Sequence, residues 1–300
     1  MVNTCLQEVP LRTVQSFGPE SIDDLVTSEV HEQYEEQGYW IAPKLFEPEQ
    51  IERLRGAQER LWSSDYDHDL PSQYGIQKID QESPSVRQQC NGFWQMDEIR
   101  KAVTAPLIGA IGGRLMHSDI VRLWHDQVVY KPGLGPEGAC ESAGNIGWHQ
   151  DYGHWQCSST KNMCTAWIAL QDITMDMGPM LMIPGSNKWG LLEGSNTFGQ
   201  KDLSALREKF SSQTHESWQP TPCLLEAGQV SFHHALTLHG SGPNLTHEPR
   251  MCVISHMMPG DTTYRGGHMW HPNLVFLGPE AQDGQPFLGP YFPRIWPTDR

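Results

Sequence analysis

The sequence predicts a mainly β fold with flanking helices, in which two sheets close on each other. Three observations carry that reading. Helical patterning is confined to the N-terminal part of the chain, short apolar runs of strand length follow it, and turn residues separate those runs. No internal repeat is visible.

Residues 1–26 carry Pro10, Gly18 and Pro19 without a clear period and are expected to form an arm. One domain is expected over 27–300, with its β core at about 115–260 and a tail, 264–300, able to cover a pocket. A short helix over 28–37 opens with Glu29 and stops at Gly38. Tyr39–Ala42 reads as a strand. Pro48 suits a first helical turn, and Ile51, Leu54 and Leu61 recur at helical spacing, so 48–63 reads as a helix. Residues 64–92 are polar and irregular, the pattern of a long loop or lid. A helix over about 97–111 should break near Pro106. After Gly112-Gly113 the pattern turns to β, with strands at 120–131, 165–170, 180–183, 229–239 and 251–257. A glycine-rich loop spans 132–147. Residues 188–220 read as a polar insertion with a helix near 202–210.

Composition narrows the function. The chain has 300 residues with 36 acidic and 21 basic groups, a net charge of −15. Such a balance opposes binding to nucleic acid or anionic membrane surfaces. No apolar run is long enough to span a bilayer and no secretory signal is visible, so an intracellular, cytoplasmic enzyme is expected. The seven cysteines are scattered, with no CxxC pair, which fits reduced thiols rather than a zinc ribbon or disulfide framework. Eleven tryptophans and twelve methionines suggest an apolar cavity lining as well as a core.

The chemistry centres on Trp148-His149-Gln150-Asp151-Tyr152-Gly153-His154-Trp155. Residues i and i+2 of a strand share a face, so His149 and Asp151 could reach one metal ion. An HxD pair is common by chance and needs completion. His239, near a predicted strand end, supplies a third ligand. Two histidines and one carboxylate make a facial triad with open positions, as in non-haem Fe(II) oxygenases. Arg250 opens the next strand, and an antiparallel return would bring its guanidinium beside His239, suited to a bidentate carboxylate.

At these residues the chain resembles the phytanoyl-CoA dioxygenase-like family of Fe(II)/2-oxoglutarate oxygenases. The matching segments are His149-Gln150-Asp151-Tyr152, Trp167-Ile168-Ala169-Leu170, Pro184-Gly185-Ser186, and His239-Gly240-Ser241-Gly242-Pro243-Asn244 with Arg250. The resemblance covers roughly 30–260 and fades in 64–92, 188–220 and the tail. It implies a double-stranded β-helix, a cupin-like jelly roll. By position it implies iron on His149, Asp151 and His239, and 2-oxoglutarate on Arg250 and Ser241, with Trp167 as an aromatic wall and Gln127 as a polar contact. Fe(II), 2-oxoglutarate and O2 are thus the expected cofactors and cosubstrates. Halogenating relatives lack the carboxylate ligand. Asp151 therefore favours hydroxylation or another C–H oxidation of a small, largely apolar metabolite, with release of succinate and CO2. An acyl-CoA 2-hydroxylase and a non-catalytic metal-binding β-barrel module are the alternatives.

Each residue also has a plainer reading. By strand alternation His154 should face away from His149 and Asp151. His233 should lie about 20 Å of extended strand from His239, as wall or core. His234 and His256 should be structural, and His268 and His271 caps or solvated groups. For Trp148, packing alone stands beside a role at the motif; Phe93, Trp94, Trp155 and Trp270 are read as pocket lining or plain packing. Asn244 should shape a turn. Nothing in the sequence specifies an oligomeric state.

Overall fold

The computed structural model describes residues 22–72, 85–137 and 142–298. Most of the expected arm, and part of the 64–92 loop, lie outside them. Of that arm, Ile22–Leu25 forms helix α1, and Ile22 and Val26 are buried in the core. Helix α2, Ser28–Gln37, is capped by the Thr27 side chain and ends at Gly38, whose φ of 80° few other residues tolerate. Strand β1 is Tyr39–Lys44. Helix α3, Pro48–Trp62, has proline in its first turn, a Glu47/Gln50 capping box, and buries Ile51, Leu54 and Leu61, as its spacing predicts. The 64–92 segment is not all loop: β2, Arg87–Cys90, pairs with a later strand. Its glutamine-rich sequence conceals the strand because ladder bonds rather than apolar alternation hold it.

Pro106 divides the next helical stretch into α4, Asp97–Val103, and α5, Pro106–Leu115. Helix α5 runs through Gly112-Gly113, past the expected change to β. Gly112 lies so close to the Met257 side chain that a Cβ would sit 2.7 Å from its sulfur, so the glycines permit close helix–sheet packing.

The remaining elements are β3 (Val121–Lys131), β4 (Ile146–His149), α6 (Asp151–His154), β5 (Cys164–Ala169), β6 (Met180–Met182), α7 (Leu203–Ser211), β7 (Thr221–Cys223), β8 (Gln229–His234), β9 (His239–Ser241), β10 (Arg250–Pro259) and β11 (Arg294–Trp296). They form two antiparallel sheets. The larger runs β1-β8-β5-β10-β3-β11, with β2 also on β3; the smaller runs β4-β9-β6-β7. This is the expected jelly-roll architecture with flanking helices. Helices α1–α5 bury one face of the larger sheet, with Val121, Ala166, Ile168, Phe232 and Val253 in the shared core. The other face looks toward the smaller sheet and carries the polar residues of interest. The tail is integral to the fold, since Phe287 and Phe292 bury against Trp124 and β11 joins β3. No helix among the described residues is long and apolar enough to cross a membrane.

On β3, Asp126 is fully buried, and burial pushes its carboxyl up to about 7, although the Phe93 amide donates to Oδ1 at 3.2 Å. The folded state therefore holds a proton that the unfolded chain releases near 3.9. The resulting stability is fully present below that value and is lost as pH rises through about 7. Thermal melts between about pH 5 and about pH 8 should show wild type losing stability relative to Asp126→Asn. Parallel pH profiles would contradict the assignment.

Candidate metal and cosubstrate site

Strand β4 stops at His149, the chain turns at Gln150, and Asp151 begins α6. His149 and Asp151 are therefore not two residues of one strand face, as alternation predicts; a strand–helix junction brings them together. His149 and His239 are register partners across β4 and β9, with ring centroids 4.2 Å apart. His149 donates from Nδ1 to the Gly147 carbonyl at 2.7 Å, and His239 from Nδ1 to the Thr237 carbonyl at 2.9 Å. These bonds set the tautomers, leaving both Nε2 lone pairs toward Asp151. The two Nε2 atoms stand 3.6 and 3.8 Å from Asp151 Oδ1. The ligand-capable atoms of the three buried residues all lie within 4.8 Å of one another.

The predicted strand 229–239 is two strands in different sheets. The chain leaves β8 at His234, turns where the Thr237 amide donates to the His234 carbonyl, and enters the smaller sheet at His239. That change of sheet corrects the 20 Å expectation for His233, whose ring centroid is 4.7 Å from that of His239. His233 Nε2 lies 3.3 Å from Asp151 Oδ2 and donates to it. Thr165 Oγ1 donates to the same oxygen at 2.7 Å, and His256 Nδ1 lies 2.8 Å from that hydroxyl. Burial alone would raise the Asp151 carboxyl; the group is nonetheless held well below its ordinary range, foremost by the hydrogen bond from His233. Burial pushes His149 and His239 below the imidazole range, His239 to about 4, so both stay neutral and able to ligate.

Arg250 and His239 do not face each other across a hairpin. Arg250 starts β10, between β3 and β5 in the larger sheet, while His239 is in the smaller one. Arg250 nonetheless enters the same cavity, which His149, Asp151, His239, Gln127, Trp167 and Ser241 also line. Its guanidinium carbon stands 5.5 Å from the Trp167 ring centroid, and Nη1 donates to the Gly178 carbonyl at 2.5 Å. Its Nε has no partner among the described residues. Gly178, with φ 59°, is pressed against the Gly242 and Pro243 carbonyls, where a side chain would clash.

Lys131 escapes the sequence reading. It is fully buried, directly opposite Arg250 in the β3–β10 register, and donates to Ser241 Oγ and the Gly242 carbonyl, each at 2.5 Å. Burial, then Arg250, push its amine well below the usual lysine range. The one sequence signal was its place at the strand end, in Lys131-Pro132-Gly133, on the same face as Gln127.

The other candidates separate clearly. His154 lies on a helix, not a strand, so it is not turned away: its ring centroid is 6.1 Å from that of His149. Phe198, from the 188–220 segment, stacks edge-on to His149 at 5.2 Å. Trp148 packs in a core cluster against Trp218. Trp155 packs on His256 at 4.7 Å, Phe93 and Trp94 are core, and Trp270 is 66% exposed. His234 accepts from the Leu236 amide and Asn244 braces its own turn through Thr246 and Glu248. His268 is exposed beside Arg265, and His271 is buried against His125 and Trp124.

Two neutral imidazoles with fixed tautomers, one carboxylate and a buried donor-rich end fit a 2-His-1-carboxylate metal with a dicarboxylate beside it. Residues 34–252 match the phytanoyl-CoA dioxygenase (PhyH) family. The chain belongs to that family. As a member it is an Fe/2-oxoglutarate-dependent oxygenase that uses O2. Peroxisomal phytanoyl-CoA dioxygenase of Mus musculus is 25% identical over 280 residues, covering 84% of this chain and 75% of that one. The fold matches the alpha-ketoglutarate-dependent carbocyclase SnoK from nogalamycin biosynthesis, with TM-score 0.68, 22% identity, and 93% and 99% of the two chains covered. The epimerase SnoN in complex with Fe3+, alpha ketoglutarate and nogalamycin RO matches with TM-score 0.65, 22% identity, and 93% and 100% coverage.

Gly147, whose carbonyl orients His149, abuts the Thr197 and Gln200 carbonyls, leaving no room for a Cβ. Gly147→Ala should destabilise the protein by about 1–3 kcal/mol, typical of an overpacked site, and weaken metal binding with it. Denaturant melts and metal titration of the folded variant check this; unchanged values would show that the 188–220 segment yields freely.

Proposed function

We propose that His149, Asp151 and His239 hold the iron, that Arg250, Ser241 and Lys131 hold the far carboxylate of 2-oxoglutarate, and that a C–H bond of a small molecule is oxidised beside them. The carrying observation is the cavity's polarity. The tautomer-fixed Nε2 atoms of His149 and His239 meet Asp151 Oδ1 in one part. In another part are Arg250, whose Nε has no partner among the described residues, and Ser241, bonded to Lys131. When bound, iron and 2-oxoglutarate supply oxidative decarboxylation to succinate and CO2.

The residues divide the work. Ser241 Oγ accepts from Lys131, so its own proton is free to donate to a carboxylate, as is the Arg250 Nε–H. An anion there would also relieve two like charges buried opposite each other. Trp167 walls that end, and Gln127, also on the cavity, offers a polar contact. Phe198, edge-on to His149, adds apolar lining beside the triad, and Ile146, opposite Ser241, and Met180 add it along the rest of the cavity. They also exclude water from the reacting groups. Asp151 occupies the carboxylate position, favouring hydroxylation or related C–H oxidation over halogenation. The net charge of −15 supports a free small molecule over an acyl-CoA with its phosphates.

Anaerobic Fe(II) and 2-oxoglutarate should produce a visible charge-transfer band that His149→Ala abolishes. Folded, metal-loaded wild type without such a band would refute the assignment. Incubation with metabolite extract should give 2-oxoglutarate-dependent mass shifts in free small molecules; turnover restricted to acyl-CoA thioesters would transfer the proposal to the alternative substrate.

Lys131→Met should weaken 2-oxoglutarate binding about tenfold to a hundredfold, the weight of a lost charged hydrogen bond. Binding of pyruvate, which lacks the far carboxylate, should change little. Equal losses for both ligands would remove Lys131 from the carboxylate end.

A further inference from the structure

The larger sheet presents one transverse row of polar residues to the site. His233 on β8 is the register partner of Thr165 on β5, Thr165 of His256 on β10, and His256 of His125 on β3. All four residues are buried, at 2% exposure or less. In the row's middle, Thr165 donates to Asp151 Oδ2 at 2.7 Å. Because that proton is committed, the hydroxyl accepts from His256 Nδ1 at 2.8 Å, which fixes His256 as the Nδ1–H tautomer. His233 adds a second donor to the same oxygen at 3.3 Å. His125 stacks on His256 with ring centroids 4.4 Å apart, and its own Nδ1 donates to the Asp126 carbonyl at 3.2 Å. Trp155 packs edge-on against both rings, with centroids 4.7 Å from His256 and 5.7 Å from His125.

We infer that this row is a positioning device for Asp151: Thr165, itself set by His256, and His233 engage Oδ2 so that only Oδ1 is offered to the metal. The inference rests on the iron assignment proposed above and adds to it three residues that do not touch the ion. A carboxylate free to rotate could close on a metal through both oxygens and take a position that cosubstrate or dioxygen needs. Two donors on Oδ2 oppose that, because bidentate binding would sacrifice both hydrogen bonds within a buried site.

The test compares Thr165→Val, which removes the hydroxyl at nearly constant shape, with Thr165→Ser, which keeps it. His256→Leu removes the donor to Thr165, and His256→Asn restores one near the Nδ1 position. The readouts are anaerobic Fe(II) affinity by chelator competition and the visible spectrum of the Co(II)-substituted protein, whose intensity reports coordination number. Circular dichroism and thermal melts establish folding. Thr165→Val should lose about 10–100-fold in Fe(II) affinity, the usual weight of an outer hydrogen-bonding partner, and alter the Co(II) spectrum. Thr165→Ser and His256→Asn should stay near wild type. Thr165→Val with His256→Leu should lose no more than Thr165→Val alone, because His256 acts through Thr165. Wild-type affinity and spectrum in folded Thr165→Val would overturn the inference, as would equal losses in His256→Asn and His256→Leu. Should Thr165→Val not fold, the two His256 variants decide alone. Wild type that binds neither ion would sink the iron assignment itself, a result separable from a normal wild type with indifferent variants.

Discussion

The buried carboxylate of Asp151 ties the two sheets to each other. An ion of that kind, removed from water, costs several kcal/mol unless partners replace its hydration. Here the carboxylate and its donors come from opposite walls. Asp151 follows β4 of the smaller sheet, with Oδ1 beside the Nε2 lone pairs of His149 and His239, and its Oδ2 accepts from Thr165 and His233 of the larger one. Separating the sheets would leave the charge uncompensated, so the spacing of the sandwich and the geometry of the triad are one constraint. The short helix α6 serves the same end, since it turns Asp151 away from the β4 direction and into the gap.

Much of this was legible in the sequence, and the limits of legibility follow from physics. Helix α3, with its own period, and β3 and β5, as runs of strand length, stand close to where the sequence places them, because periodicity and apolar run length are local information. The triad could be named because two of its members are neighbours in sequence and the third lies in a glycine-bounded strand end. The reason given for the first pair was nevertheless wrong, for proximity arises at a strand–helix junction. His233 illustrates what alternation cannot supply. Parity says which face a side chain takes on a straight strand, but not that the chain changes sheets three residues later. Lys131 was missed for a related reason. Its importance depends on which strand lies opposite, and register between distant strands leaves no mark on either one.

The cross-strand rows explain how such scattered residues make one site. On a single face of β10, Arg250, Cys252, Ile254 and His256 alternate with core residues, and their β3 partners are Lys131, Val129, Gln127 and His125. The face thus grades from two basic side chains, through a mainly apolar step, to paired imidazoles. Arg250 spans part of that interval by reaching toward Trp167. On the proposed assignment, a ligand with one carboxylate at each end would meet the basic donors at one end and the metal ligands at the other, which would fix its direction.

The two ends also differ in what the protein must supply before any ligand arrives. At the triad, backbone carbonyls fix the two neutral imidazoles, so their Nε2 lone pairs and Asp151 Oδ1 converge as an acceptor set suited to a cation. At the other end, Lys131 and Arg250 are held opposite each other with only neutral acceptors among the described residues, and burial disfavours both charges. On the proposed assignment a dianionic cosubstrate would neutralise that repulsion, whereas a monocarboxylic 2-oxo acid would leave it in place. Discrimination between the two would then arise from charge the fold has already buried, not from the size of the cavity.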